Sequence, residues 1–379
     1  MTAALLIALA LLLYTYVGYP LVLRVLAYFA AARQQFRADT PGKALPMVSV
    51  LICVHNGAAF LPRKIESLLA QDYPPERMEI LIYSDGSTDD TVAVAETLAA
   101  APAAGGRIRL VANAERRGKP SGLNALCAIA RGDLLVLNDV RQPFAPCAVR
   151  ELAKAMADPA VGCATGNLVL AGEAGSGIYW RYENWIRQQE SRFRGVVGMT
   201  GPIAMVRRAD SIRLPEDVIL DDVWIPMQLA LAGKRVTYVP AATAFDTAFD
   251  DEREFRRKVR TLAGNYQLFA RMPALLAPFR NPIWFETISH KVLRLAAPWL
   301  LVGLAASSGA PLLPTATSEG LMYLLIAGQF VFYAAAALGH RAGRIGGAAR
   351  TFVVLNAAAL VGLWGFVSGR QRVTWKITR

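Results

Sequence analysis

Polar and acidic side chains follow long apolar runs at several points of this 379-residue chain. His55 comes directly after VSVLICV, Asp85 after EILIYS and Asp139 after LLVLN. Apolar runs of this length, separated by helix-like segments, are typical of buried parallel strands. Because ligands bind outside the carboxyl ends of such strands, we expect His55 and Asp85 to line one crevice.

A further acidic feature is the adjacent pair Asp221-Asp222, which stands between VIL and the apolar run VWIPMQLALA. The pair is expected at the start of a helix. Two carboxylates are favourable there because the amino end of a helix carries partial positive charge. The position alone therefore does not distinguish a structural pair from a chemical one.

The elements that position these residues follow a strand-helix-strand order. Between the runs 48–54 and 78–84, apolar residues recur at the 3.6-residue spacing of a helix face. Further helix-strand units are expected over 91–111 and from about Ser121 to a strand at 134–137. This alternation predicts an α/β fold, a Rossmann-like and mostly parallel sheet, flanked by transmembrane α-helices.

The segments VSVLICVHNGAAFLPRKIESLLAQDYP and EILIYSDGSTDDT resemble the nucleotide-binding half of a family 2 glycosyltransferase with the GT-A fold. The resemblance extends over about 47–267. It implies that His55 and Asp85 hold the nucleotide of a UDP- or GDP-sugar. The residues alone leave another role open, since an aspartate in such a turn also caps the helix that follows.

The segment Gly118-Lys119 followed by Asn124 is similar to the GK…N segment of the same family. This similarity implies that Lys119 meets a phosphate of the sugar nucleotide. A solvated lysine is the alternative.

At the DxD-type position of the family this chain reads DVR, with Asp139 first and Arg141 where the second acid is expected. The resemblance implies that Asp139 binds the ribose of the nucleotide or a divalent cation, Mg²⁺ or Mn²⁺. Two carboxylates hold such a cation well, whereas one carboxylate and one arginine hold it poorly. In one alternative, Arg141 partly replaces the cation by binding a phosphate of the nucleotide. In the other, Arg141 points away from the site, and Asp221 or Asp222 helps Asp139 to bind the metal.

The remaining family positions fall later in the chain. Thr200-Gly201 matches the turn that shapes the acceptor site, and Asp221-Asp222 matches the ED motif, whose second acid is the catalytic base. An inverting transfer needs such a base to take the proton of the attacking hydroxyl.

A basic motif of the family, which clamps the diphosphate, is represented by Arg257, Lys258 and Arg260. Thr261 stands at the tryptophan position of processive synthases. This departure argues against a polymer-threading site, and a solvated basic helix is the alternative.

An amphipathic helix is expected over 175–195. Its apolar and aromatic residues alternate with arginines, which suits a membrane interface or a platform for a sugar or lipid acceptor. A surface helix of the domain core is equally compatible. The residues expected on one face are Ile178, Tyr182, Trp185, Ile186 and Phe193.

The composition is that of a membrane protein. Hydrophobic residues make up 54%, mean hydropathy is +0.32 and net charge is +12. The positive charge suits anionic membrane lipids and phosphates, and no nucleic-acid-binding motif appears. Four cysteines without metal-binding spacing indicate free thiols in a reducing cytoplasm, with neither disulfide nor zinc site.

Four regions are predicted: an anchor at 1–33, a linker at 34–46, a GT-A domain at 47–280 and a membrane region at 281–379. The anchor carries no charge before Arg24, which argues against a cleaved signal peptide. The membrane region has two spans and a third segment, 351–368, that either spans or is re-entrant. Flanking basic residues place the domain on the cytoplasmic side of the inner membrane in a multi-pass arrangement.

The resemblance thus implies an inverting transfer of one sugar from a nucleotide sugar to a lipid-linked or glycan acceptor, for cell-envelope or exopolysaccharide synthesis. Two alternatives remain at this point. One is a processive polysaccharide synthase, and the other is a catalytically impaired, nucleotide-sugar-binding membrane scaffold.

Overall fold

The computed structural model describes residues 2–31, 45–171, 176–247, 251–308 and 316–371. The predicted linker therefore lies mostly outside the described residues. Seven strands occur in the described ranges: β1 Val48–Val54, β2 Met78–Asp85, β3 Ile108–Asn113, β4 Leu134–Asp139, β5 Val161–Ala171, β6 Ile203–Arg207 and β7 Arg235–Thr247.

The strands form one mixed sheet of order β3-β2-β1-β4-β6-β5-β7. The first four strands pair in parallel. β6 is antiparallel to β4 and β5, and β7 returns to a parallel pairing with β5. The predicted, mostly parallel α/β sheet is confirmed.

Helices cover both faces of the sheet and continue beyond it. Those in the described ranges are α1 Thr2–Leu13, α2 Tyr19–Ala31, α3 Leu61–Leu69, α4 Thr91–Ala100, α5 Lys119–Ile129, α6 Ala148–Ala155, α7 Ser176–Phe193, α8 Asp221–Leu231, α9 Asp251–Arg271, α10 Trp284–Glu286, α11 Leu293–Ser308, α12 Ala316–Leu338 and α13 Gly343–Val367. Short π-helical stretches join α1 to α2 and α10 to α11.

The core lies on both sides of the central strands, whose residues alternate between the two faces. Leu51 and Leu81 pack with the helices α5 and α8 on one face. Val50 and Ile80 pack with α3, α4 and α6 on the other. Burial on both faces explains why β1 and β2 are continuous apolar runs and not alternating ones.

The carboxyl ends of β1 and β2 are tied together by the loops that follow them. Asn56 adopts a positive φ of 53°, and its Oδ1 accepts a 2.8 Å hydrogen bond from the backbone N–H of Thr88. Gly86 has φ +59°, and a Cβ there would lie 2.8 Å from the backbone nitrogen of Arg116. Glycine is therefore required in the turn after β2, because that turn packs directly against the loop before α5.

Three helical segments are long and apolar enough to cross a membrane, among the described residues: Leu6–Ala30, Trp284–Ala306 and Ile326–Val367. The first two pack together through Leu12 and Ala297. The third contains α12 and α13, whose Phe332 and Phe352 rings lie 5.6 Å apart.

The segment predicted as spanning or re-entrant, 351–368, coincides with the second part of α13 and its C-cap residue Ser368, and α13 also touches the sheet domain. A Cβ at Gly362 would lie 3.0 Å from the backbone nitrogen of Ala263 on α9. The small residue lets the two helix backbones approach closely.

The aromatic face of α7 is covered by the N-terminal helix. Tyr182, Trp185 and Phe193 pack around Ile186 together with Tyr19 and Leu23 of α2. This face therefore joins the anchor to the domain, and its predicted role toward an acceptor stays a prediction.

Candidate active site

His55 and Asp85 lie side by side, as the strand order predicts. The Nδ1 of His55 donates a 2.8 Å hydrogen bond to the backbone oxygen of Asp85. The Asp85 carboxylate is buried and accepts hydrogen bonds from the backbone N–H of Arg117 at 2.7 Å and of Gly118 at 2.9 Å. Asp85 thus fixes the loop that delivers Lys119. Its contact with a nucleotide stays a prediction.

The helix after Thr88 has a different cap. The carboxylate of Asp89 accepts a 3.1 Å hydrogen bond from the backbone N–H of Thr91, the first residue of α4. The alternative role considered for Asp85 therefore belongs to Asp89, because Asp89 is close enough to reach that free N–H.

Lys119 joins the two acidic parts of the site. Its Nζ lies 2.8 Å from Oδ1 of Asp139 and 2.9 Å from Oδ2 of Asp221. Burial lowers the pKa of Lys119, but the two carboxylates outweigh it and raise the pKa above its usual range. Burial raises the pKa of Asp139, and Lys119 more than offsets this and lowers it. Lys119 and Asp139 are therefore both charged at neutral pH.

Asp222 occupies the first turn of α8, beside Asp221, as expected for the pair. Burial first, and then the charge of Asp221, raise the pKa of Asp222 to about 6. Its Oδ1 is buried and has no hydrogen-bond partner among the described residues. A carboxylate with a raised pKa and a free oxygen is suited to take a proton from a ligand.

The turn Thr200-Gly201 faces this carboxylate. Thr200 is held by the backbone oxygen of Gly166, which accepts a 2.7 Å hydrogen bond from its Oγ1. A Cβ at Gly201 would lie 3.4 Å from Oδ2 of Asp222. A larger residue there would fill space next to the acid, so glycine leaves room for a ligand.

The three basic residues of α9 differ in their surroundings. Arg260 donates a 2.7 Å hydrogen bond to the backbone oxygen of Ile219, and its charge is among those that lower the pKa of Asp222. Arg257 and Lys258 both pair with Glu254. Arg260 is thus the member of the predicted set that the structure brings to the acidic pair.

Arg141 forms an ion pair with Asp246, near the end of β7. Gln142 donates a 2.6 Å hydrogen bond from Nε2 to the same carboxylate. The predicted role of Arg141 as a phosphate ligand stays a prediction, and in this structure its guanidinium is bonded to Asp246.

The carboxylates do not fit a divalent cation in this arrangement. No group of three or more His, Cys, Asp or Glu residues that could hold a metal occurs in the part of the chain that the structure describes. The ammonium of Lys119 lies against both Asp139 and Asp221, where a bridging cation would need the same oxygens.

Two further polar residues lie behind the site, and the sequence did not single them out. Lys64 is fully buried in α3, and its Nζ donates a 2.7 Å hydrogen bond to the backbone oxygen of Gln142. Its position between Leu61, Ile65 and Leu68 on the apolar helix face was a signal for burial. Asp246 carried no signal, because only the fold brings β7 next to the strand end that carries Arg141.

Comparison with known proteins supports the fold and the family. Residues 49–214 match the profile of glycosyl transferase family 2. The mannosyltransferase PcManGT from Pyrobaculum calidifontis, solved in complex with GDP-Man and Mn²⁺, is 24% identical, with a TM-score of 0.75 over 97% of this chain and 99% of that one. At this identity the likeness shows a shared GT-A fold.

Several curated relatives are named N-acetylglucosaminyltransferase. An N-acetylglucosaminyltransferase of Rhizobium leguminosarum bv. viciae is 30% identical over 238 residues, 56% of this chain and 55% of its own length. Another, from Rhizobium meliloti, is 27% identical over 75% of this chain and 70% of its own length. The chain spans about half the length of several of these relatives. Taken with the sheet order and the acidic site, these matches support the resemblance of residues 49–214 to the family 2 glycosyltransferases.

Proposed function

We propose that the protein is an inverting glycosyltransferase, which moves one sugar from a nucleotide sugar to a hydroxyl of a membrane-associated acceptor. The observation that carries the proposal is Asp222, with its unpartnered Oδ1 beside the Thr200-Gly201 turn. Its ionised form takes the proton of the acceptor hydroxyl. The hydroxyl oxygen bonds to the anomeric carbon as the bond to the diphosphate breaks, and the electron pair leaves with the diphosphate.

The negative charge that develops on the diphosphate needs fixed positive groups nearby. Lys119 and Arg260 are assigned this role because both are positively charged and lie close to the acidic pair. Lys119 forms an ion pair with Asp221, and the charge of Arg260 lowers the pKa of Asp222. Asp139, beside Lys119, is assigned to bind the ribose of the donor, and His55 is assigned to bind its nucleobase. No step of this mechanism uses a divalent cation.

The proposal is tested by incubating membranes that contain the protein with radiolabelled nucleotide sugars and lipid extracts. UDP-N-acetylglucosamine and GDP-mannose come first because of the names of the relatives. We expect a labelled product that carries one added sugar, and each donor is assayed with Mn²⁺ and with a chelator.

Two outcomes contradict this expectation. A ladder of products would favour a processive synthase. Binding of a nucleotide sugar without turnover, for every donor and lipid fraction tried, would favour a scaffold.

The proposed location of the domain is the cytoplasmic face of the inner membrane, with the described apolar helices as spans. Support comes from basic residues within the domain-side turns of two of these helices, Arg24 in the first and Lys291 and Arg294 in the second. Basic residues remain preferentially on the cytoplasmic side of a bilayer.

Cys147 provides a native reporter for this location, since it is a free and exposed thiol at the start of α6. In intact cells we expect it to resist a membrane-impermeant maleimide and to react after lysis. Cys147→Ser removes the signal. In that background, Ser318→Cys should react without lysis, because the sequence predicts that the segment 309–320 is outside. Labelling of Cys147 in intact cells would reverse the topology.

A further inference from the structure

The first turns of the second apolar segment, Trp284–Ala306, carry three basic residues. His290 lies 2.6 Å from Oε1 of Glu190 through Nδ1, and Arg294 bonds Oε1 of Glu183 at 2.6 Å. Lys291 differs from both, because it makes no hydrogen bond or ion pair with any residue that the structure describes.

Lys291 reaches the active site. A Cβ placed on Gly198 would lie 3.8 Å from Nζ of Lys291 and 3.8 Å from the backbone oxygen of Asp222. The charge of Lys291 is also among those that lower the pKa of Asp222. Gly198 thus lies between the ammonium of Lys291, at the membrane end of the domain, and the backbone of the proposed base.

A second cation stands on the same side. Arg187 of α7 donates a 2.7 Å hydrogen bond from Nη1 to Oγ1 of Thr200, in the predicted acceptor turn. It acts electrostatically on Lys291, so the two charges are near one another. The carboxylates of Asp222, Glu190 and Glu183 also act electrostatically on Lys291, but none of them forms an ion pair with it among the described residues. Two like charges partly withdrawn from water are unfavourable, and a directly bound anion would offset this cost.

Asp222 does not serve as that anion. No ion pair joins Asp222 to Lys291 among the described residues, and Oδ1 of Asp222 has no hydrogen-bond partner there. Lys119, by comparison, contacts both Asp139 and Asp221. The site therefore has one cation, Lys119, paired with carboxylates on the side of the strand ends. On the side of the membrane helix it has a second, Lys291, which forms no ion pair within the described ranges.

We propose that Lys291, together with Arg187, binds the diphosphate that links the acceptor sugar to its lipid. This inference rests on the proposed function and specifies its acceptor as an anionic lipid-linked sugar. The lipid lies along Trp284–Ala306, the diphosphate contacts Lys291, and the sugar extends past Gly198 so that its hydroxyl meets Asp222. Lys291 is a specificity residue in this arrangement, since it contacts the substrate away from the reacting atoms.

A diphosphate could also come from the donor, so the test must separate the two sources. The full chain in detergent is titrated with farnesyl diphosphate, with farnesol, and with UDP and GDP. For Lys291→Met we expect farnesyl diphosphate to bind about ten- to a hundredfold more weakly, the usual effect of losing a hydrogen bond between charged groups. Affinities for farnesol and for the nucleotide should not change.

Arg280→Met is the matched control. It removes an exposed cation that precedes the same apolar segment by four residues, and farnesyl diphosphate should bind this variant as it binds the wild type. Lys291→Arg, which keeps the charge, should retain most of the affinity.

The wild-type protein gives an independent test that does not depend on the folding of a variant. Farnesyl diphosphate should inhibit sugar transfer in competition with the acceptor and not with the nucleotide sugar. Competition with the nucleotide sugar, or equal binding of farnesyl diphosphate by the wild type and Lys291→Met, would overturn the inference. Absence of any turnover in the wild type would instead refute the proposed function, because the titrations need no turnover.

Discussion

Replacement of Asp222 by asparagine is expected to lower turnover by about 10²–10⁴-fold, the usual contribution of a positioned general base. Asparagine keeps the shape of the side chain and removes its basicity. Nucleotide affinity should stay as in the wild type, since the carboxylate proposed to bind the donor is Asp139, which pairs with Lys119. Initial rates of transfer and titration with the nucleotide measure the two effects separately.

Stability distinguishes loss of the base from loss of the fold. The pKa of Asp222 is raised by burial to about 6, above the value of about 3.9 for an unfolded chain. A raised carboxyl pKa makes the folded state less stable above that pKa, and the penalty disappears as pH falls below the unfolded value. Asp222→Asn should therefore melt at least as high as the wild type at pH 7, with a smaller difference at pH 4.

The pH profile of the wild type follows from the same group. Transfer should decline about tenfold per pH unit below about 6, as Asp222 becomes protonated and cannot accept a proton. Asp217→Asn is the control, because Asp217 is an exposed acid paired with Arg271 on the surface. Near-normal turnover in Asp222→Asn would remove Asp222 from the mechanism.

The positions of His55, Asp85 and Asp139 were predictable because each follows a buried parallel strand. Neighbouring parallel strands end at one edge of the sheet, so local patterns along the chain suffice to bring such residues together. The same argument placed Asp221 and Asp222 on the first turn of a helix. The family resemblance, and not the spacing, supplied their chemical roles.

The ion pairs were not predictable in this way. Lys119 bonds Asp221, and Arg141 bonds Asp246, across about a hundred residues of sequence. Side-chain pairing over such separations depends on the crossing of whole elements, and no local pattern reports it. Lys291 was interpreted only as a topology signal beside an apolar segment, although its place next to Asp222 gives it a chemical surrounding as well.

Replacement of Lys119 by methionine is expected to have the second large effect. It leaves Asp139 and Asp221 without the ammonium that both contact, and removing one partner of a buried ionic group usually costs about 3–5 kcal/mol. The Asp139 side chain is 41% exposed, so water screens part of this cost and we expect about 3 kcal/mol or less in the free energy of unfolding. Turnover should fall at least about 10²-fold, because a fixed charge opposite the leaving diphosphate is lost.

The control for this variant is Lys154→Met, which removes an exposed ion pair with Glu151 of the kind usually worth less than about 1 kcal/mol.

A more specific result is expected when Mn²⁺ is added to Lys119→Met. The ammonium of Lys119 holds oxygens of Asp139 and Asp221 around one point, and without it those oxygens are free to share a hard cation. Mn²⁺ should therefore raise the melting temperature of Lys119→Met more than that of the wild type, because only the variant presents both carboxylates unpaired. If Mn²⁺ stabilises the two proteins equally, the carboxylates do not form a site that Lys119 occupies. If the wild type gains the larger stabilisation, the cation binds with Lys119 in place, and the assignment of the diphosphate charge to Lys119 and Arg260 is wrong.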